Sequence, residues 1–259
     1  MTTANTSLKG MHALVTGANR GIGLAVVKSL VEDGARVSML VRNRDAGMSA
    51  AAAFGNAVTV VVADVTVESQ VQDAYAASVG QFGAVQVLVN NAGYTESAPV
   101  LRSDRAMFER LMEVHLYAAV SCTQAVLPGM IDAKFGRIIN IASTAGVAGH
   151  AYVSAYTAAK HALVGFTRAV AKEVVTKGIT VNAVCPGYTD TDLVSDSVAR
   201  IVQKTGRSPE EVRDAILSTS PMNRLVTPSE VAGAVRWLCD NSAASVTGQT
   251  IIIDGGELS

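Results

Sequence analysis

The chain has 259 residues, of which 49% are apolar and 17% charged, with a net charge of −1. A chain of that length and apolar content can bury one large core, and the near balance of charge excludes a basic nucleic-acid binder or a membrane-surface protein. Cys122, Cys185 and Cys239 sit far apart in apolar runs with no Cys-x-x-Cys pair, the pattern of buried thiols in a reducing compartment.

Met1 to Lys9 is polar with no signal-like apolar run after it, and no stretch approaches membrane-spanning length, so a cytoplasmic protein without a membrane partner is expected. His12, His115, His150 and His161 show no metal-ligand spacing, and no catalytic metal is expected. Repeats and low-complexity segments are absent. Strand and helix patterns alternate from end to end, which predicts one α/β domain over residues 1–259.

His12 to Thr16 is an apolar strand, followed by Thr-Gly-Ala-Asn-Arg-Gly-Ile-Gly (Thr16 to Gly23) and an amphipathic helix from Leu24 to Asp33, closed by Gly34. Gly17, Gly21 and Gly23 let the backbone turn sharply and approach a diphosphate, whose charge the free amides of the helix N-terminus meet. Three residues separate the first two glycines, where the standard dinucleotide fingerprint has one. The second strand, Ala35 to Val41, closes a right-handed strand–helix–strand unit. A carboxylate that would hold an unphosphorylated ribose is missing from its end, which offers Arg42, Asn43 and Arg44, with Arg20 in the glycine turn. Two guanidinium groups at one pocket suit a 2′-phosphate, so NADP(H) is expected over NAD(H), although strand-end arginines are also ordinary solvated charges.

The third strand, Ala57 to Ala63, ends at Asp64-Val65, where a carboxylate could accept from an adenine amino group; helix Glu68 to Phe82 follows. The fourth strand, Val85 to Val89, runs into Asn-Asn-Ala-Gly (Asn90 to Gly93), at the sheet edge where open α/β sheets bind ligands, though these are also plain turn residues. Ser103 to Lys134 is one long helix or two interrupted at Pro128. The fifth strand, Arg137 to Ile141, delivers Ser143 to the same edge.

The next helix is capped by Ser154, runs through Glu173, and carries Tyr156 and Lys160 on one face. A phenol near its ordinary pKa of about 10 is a poor acid–base catalyst at neutral pH and needs a cation beside it. An ammonium about 4 Å away is worth up to ~4 kcal/mol at an effective dielectric of about 20, with desolvation opposing it. By itself the pair more often describes a tyrosine resting on a lysine stem. Ile179 to Val184 is the sixth strand, ended by Pro186-Gly187, and Gln249 to Ile253 the seventh. Between them, residues 190–221 are polar, hold two short helices and form the expected substrate lid.

Taken in order from Lys9 to Gly256, Thr-Gly-x-x-x-Gly-x-Gly, Asp64, Asn-Asn-Ala-Gly, Ser143, Tyr-x-x-x-Lys and Pro-Gly with Thr191 four residues later resemble the short-chain dehydrogenase/reductase family. The resemblance implies a single Rossmann-fold domain, a seven-stranded doubly wound parallel sheet with helices on both faces and a nicotinamide cofactor along its C-terminal edge. It also implies that Tyr156 is the proton donor to a carbonyl oxygen, or the base in reverse, and that Ser143 holds that oxygen. Lys160 would lower the tyrosine pKa and bond the nicotinamide ribose. Gly17, Asn19, Arg20, Ile22, Asp64, Val65, Asn91, Gly93, Pro186, Gly187, Thr189 and Thr191 would hold the rest of the cofactor, with Arg42 at the 2′-phosphate. One departure stands out: His115, within Val114-His115-Leu116, occupies the family's usual asparagine position in a water-mediated proton path. A histidine there could relay protons or titrate near neutral pH, or be a core histidine bonded to a carbonyl.

Tyr-Thr-Ala-Ala-Lys-His, Ile-Thr-Val-Asn-Ala-Val-Cys-Pro-Gly and Pro-Ser-Glu-Val-Ala resemble segments of bacterial ketoreductases acting on 3-oxoacyl thioesters and polyketide intermediates, and of 3-hydroxybutyrate dehydrogenases. Tyr94-Thr95-Glu96 and Thr144-Ala145-Gly146 lack the glutamine and histidine that would hold a small carboxylate, which disfavours an anionic substrate. The expectation is NADPH-dependent reduction of a ketone such as a 3-oxoacyl thioester or related β-keto compound. The alternatives are oxidation of a secondary alcohol or diol by the same residues, and a non-catalytic NADPH-binding regulator. A homotetramer is implied by the resemblance and supported by apolar or small residues around the Tyr156 helix, namely Ala158, Ala162, Phe166, Ala169 and Val170.

Overall fold

In the computed structural model, which describes residues 8–259, seven strands form one parallel sheet in the order β3-β2-β1-β4-β5-β6-β7. The strands are β1 (His12–Thr16), β2 (Arg36–Val41), β3 (Val58–Val62), β4 (Val87–Asn90), β5 (Gly136–Ile141), β6 (Ile179–Pro186) and β7 (Thr250–Ile253). They alternate with α1 (Gly21–Glu32), α2 (Arg44–Ala51), α3 (Glu68–Phe82), α4 (Arg105–Met112), α5 (Ala118–Ala133), α6 (Ser154–Val174), α7 (Asp192–Thr205), α8 (Pro209–Leu217) and α9 (Pro228–Cys239).

The near-continuous apolar runs of the strands follow from helices covering both faces of a parallel sheet. Side chains alternate across the pleat, so Ala13, Val15, Val87 and Val89 meet α1 and α9 on one face. Leu14, Leu88 and Ile138 meet α3, α5 and α6 on the other. Every residue of β5 and β6 is buried, which fixes their pairing, Ile141 opposite Val184. The chain winds outward from β1 through β2 and β3, then crosses back to β4 on the other side of β1. The glycine turn and Asn90–Gly93 therefore open onto one crevice at the C-terminal ends of β1 and β4, the switch point at which such sheets bind ligands.

Several local expectations are corrected. The break in the long helix falls at Glu113–Tyr117, one π-helical turn, rather than at Pro128, which lies within α5. Pro128 is exposed, as is Gln124 one turn earlier, so the carbonyl that loses its hydrogen bond faces water. Arg105–Ala133 thus forms a helix of 29 residues, long and apolar enough by composition to cross a membrane, contrary to the reading above; its Leu111, Val114, Val126 and Met130 are packed into the core. Ser154 is the first residue of α6 and not its cap: Val153 holds the N-cap position, and Ser154 Oγ is buried without a partner. α2 had no apolar stripe to announce it; Asn43 starts it by accepting from Ala46 N at 2.9 Å. The polar N-terminal stretch considered above lies, through residue 7, outside the described residues.

Candidate active site

The glycine turn is shaped for close approach. Gly17 has φ +62°, and a Cβ on Gly23 would strike the Gly17 carbonyl and come within 2.6 Å of Asn91 Nδ2. Asn91 Nδ2 donates to the carbonyls of Thr16 (2.9 Å) and Gly17 (3.1 Å), while Thr16 Oγ1 accepts from the Asn91 and Ala92 amides, both at 2.9 Å. The two sequence turns are thereby latched together, and the Asn91 side chain is spent on shaping the turn. At the N-terminus of α1, Arg20 makes no side-chain cap and the first turn holds no carboxylate. Free amides next to a basic residue fit a diphosphate.

Around that cradle, Arg42 is exposed at the end of β2, and Arg20 lies 3.4 Å from Asp192 of α7. Asp64 accepts from the amide and hydroxyl of Thr66, which with Arg42 nearby hold its carboxyl below the usual range. Val65 is buried, and Asn19 and Ile22 are half-buried. The loop from Pro186 folds back through Thr189, whose hydroxyl donates to Gly187 O, to Thr191, which packs on Gly21. Loop, glycine turn and α7 therefore meet over the crevice, and these residues fit a nicotinamide dinucleotide.

Ser143, Tyr156 and Lys160 come together beside it. β5 ends at Ile141, the Ala142 amide bonds Val184 O at 2.7 Å, and Ser143 then starts a short 3₁₀ turn, its hydroxyl accepting from Ala145 N at 3.1 Å. Lys160 is 4% exposed; its Nζ donates to Ile141 O at 2.8 Å and lies 5.6 Å from the centre of the Tyr156 ring. The expectation that Lys160 depresses the phenol pKa is not met: burial raises it, Cys185 adds to the rise, and Lys160 is not among the groups that lower it. Desolvation pushes Tyr156 up to about 12, with only the Ser143 hydrogen bond pulling it down. The same desolvation pulls Lys160 down to about 7, a lysine poised to change charge at neutral pH.

His115, in the π-helical turn, is buried. Its Nε2 meets Tyr94 O at 2.8 Å, so Nε2 carries the proton, and Nδ1 is buried without a partner. The ring stands edge-on to Tyr156 with centroids 5.2 Å apart, and lies so close to Gly93 that a Cβ there would be 2.7 Å from Nδ1. Burial, reinforced by Lys160, holds its pKa well below the ordinary value, which corrects the expectation of titration near neutrality.

A scan of family models matches residues 17–257 to one described as enoyl-(acyl carrier protein) reductase. The chain is 36% identical to the 3-oxoacyl-[acyl-carrier-protein] reductase of Vibrio cholerae, over 96% of this chain and 98% of that one. The chain belongs to the short-chain dehydrogenase/reductase family. Its identity to the D-beta-hydroxybutyrate dehydrogenase of Cupriavidus necator is also 36%, covering 96% and 98% of the two chains. Levodione reductase shares the fold at a TM-score of 0.91 and 29% identity, covering 96% of this chain and 98% of that one. As a family member it is an oxidoreductase of CH–OH and C=O groups.

In this family member the motifs missed a second layer. Asn90 Nδ2 donates to Asn140 Oδ1, Asn140 Nδ2 to Thr167 Oγ1, and Thr167 Oγ1 to Leu163 O, each at 2.8 Å. That one-way chain leaves Asn90 Oδ1 buried and unpaired beside a cavity of about 10 Å³, which Lys160, His115 and Thr16 also line. The volume matches a single water. Asn90 carried a signal, as the first residue of Asn-Asn-Ala-Gly; Asn140 and Thr167 carried none, because only the strand register brings them together.

Proposed function

We propose that the chain is an NADPH-dependent ketoreductase with Tyr156 as proton donor, acting on a 3-oxoacyl thioester or related β-keto compound. The observation that carries this reading is the convergence of Ser143, Tyr156 and Lys160 at the mouth of the crevice, beside a cradle suited to a dinucleotide. A bound nicotinamide supplies hydride to the carbonyl carbon. The Ser143 hydroxyl, already bonded toward Tyr156, holds the carbonyl oxygen, and the phenol gives that oxygen its proton as negative charge develops there. A buried phenolate is costly, and Lys160, near the midpoint of its titration at pH 7, gains charge as the tyrosine loses its proton. Oxidation of a secondary alcohol is the same path reversed, with Tyr156 as base. NADPH preference rests on Arg42 and Arg20 with no carboxylate at the end of β2.

The test is a panel of β-keto esters, 3-oxoacyl thioesters and aryl ketones with NADPH and NADH, followed by loss of reduced-cofactor absorbance. Turnover of at least one member is expected, with kcat/KM higher for NADPH. Tyr156→Phe should lower kcat by roughly 10²–10⁴ while NADPH binding holds. An equal or better kcat/KM with NADH removes the arginine assignment, and tight NADPH binding without turnover in either direction leaves the regulator reading.

A further inference from the structure

Glu257 lies just after β7, where the chain turns back over the site. Asp254 makes that turn, accepting from the amides of Gly256 and Leu258, both at 2.9 Å. The turn packs on the end of the 190–221 segment, since a Cβ on Gly255 would strike Met222 and come within 3.1 Å of Ser220 Oγ. Glu257 itself is directed at Gly187, where a Cβ would lie 2.8 Å from Oε2. Its side chain is 8% exposed; His150 Nδ1 lies 4.0 Å from Oε1, and the Tyr188 phenol is close enough to feel its charge. No hydrogen-bond donor reaches the carboxyl from the described residues. Burial, with Asp254 adding to it, pushes its pKa up.

A carboxyl with little access to water and no donor from its own chain is destabilising, and such groups persist where another partner satisfies them. The surroundings indicate where that partner sits. Gly187 follows Pro186 at the end of β6, next to the strand that delivers Ser143, and His150 belongs to the loop between Ser143 and α6. His150 Nε2 and Ser220 Oγ, on two other segments of the same mouth, are also buried without partners. Two buried unpaired groups and a carboxyl without a donor thus come from three segments that meet at the C-terminal ends of β6 and β7.

We propose that Glu257 is a specificity-determining residue whose carboxyl accepts a hydrogen bond from an uncharged donor, a hydroxyl or an amide N–H, carried by the substrate beyond the reacting carbonyl. This rests on the ketoreductase reading and narrows its substrates to ketones bearing such a donor. A carboxylate in that position also repels a substrate carboxylate.

The test compares wild type, Glu257→Gln and Glu257→Ala, with NADPH, on two matched sets. Cyclohexanone against its 2-, 3- and 4-hydroxy derivatives reads a hydroxyl donor; ethyl 3-oxobutanoate against the N-acetylcysteamine thioester of 3-oxobutanoate reads an amide donor. The expected result is a wild-type preference in kcat/KM of roughly tenfold to a hundredfold for the donor-bearing member of at least one set. Glu257→Ala abolishes that preference, and Glu257→Gln, whose amide oxygen still accepts, retains most of it. A loss equal on all substrates would mark Glu257 as an anchor for the chain turn and overturn the proposal, as would wild-type turnover with no donor preference. The ketoreductase reading stands in both cases; it falls, and this proposal with it, if wild type turns over no member of either set.

Discussion

Lys160 bears a cost that its position imposes. At 4% exposure its ammonium has one carbonyl partner, Ile141 O, and desolvation draws its pKa from 10.5 to about 7. The folded pKa is the lower one, so between about 7 and 10.5 the unfolded chain binds more protons, and stability rises with pH through that window. Below pH 7 the full penalty is present. Lys160→Met should therefore abolish turnover yet raise Tm, and its gain should be on the order of 2 kcal/mol larger at pH 6 than at pH 9. Thermal unfolding of both proteins at the two pH values checks this; a Tm that falls on substitution at pH 6 shows that the ammonium is stabilising where it lies. The spacing of Tyr156 and Lys160 put both residues at one site, as the structure has them. Spacing carries no information on dielectric, which is why the expected depression of the phenol pKa had the wrong sign.

The π-helical turn does for His115 what a regular helix would not. Widening one turn between α4 and α5 carries the ring against Gly93 and Tyr156, and Nε2 to the Tyr94 carbonyl. The Val114-His115-Leu116 context marked the position, but a π turn leaves no periodic trace in sequence, and the break was sought at Pro128 instead. With Nε2 donating, Nδ1 can only accept, and burial, with Lys160 adding to it, favours the neutral ring. A relay role would run through that neutral acceptor and the small cavity under Lys160. On that reading His115→Ala lowers kcat by about tenfold with KM little changed, a loss at the lower end of what proton-transfer groups contribute. Any wild-type inflection in kcat near neutrality is expected to belong to Lys160, which burial draws down to about 7, rather than to the histidine. A kcat equal to wild type at every pH between 6 and 9 removes the relay.

At the scale of the whole molecule the seven strands and the ligand-binding edge were legible, because each strand of a parallel sheet is a nearly unbroken apolar run and the turn motifs mark its C-terminal ends; their order in the sheet was not. The chain turn that brings Glu257 over Gly187 was not, since a single glutamate after β7 has no pattern and its partners lie about 70 and 107 positions away. The outer surface carries one more expectation. On α6, Ala158, Gly165 and Ala169 are exposed and Ala162 half-buried, a stripe with steps of four, three and four residues; Val170, read above as part of it, faces the core instead. Small residues in that register let a second helix approach closely. β7 is an edge strand with Ile252 42% exposed, an apolar edge that a second copy could cover. Two such faces on one protomer, each meeting its own copy, would close a tetramer of dihedral symmetry. Light scattering at micromolar concentration should therefore give a mass near four times 26.8 kDa, and Ala158→Arg with Ala169→Arg should reduce it to a dimer held by the β7 face alone. A wild-type mass of 26.8 kDa would mean that both faces are solvent-exposed in the working protein.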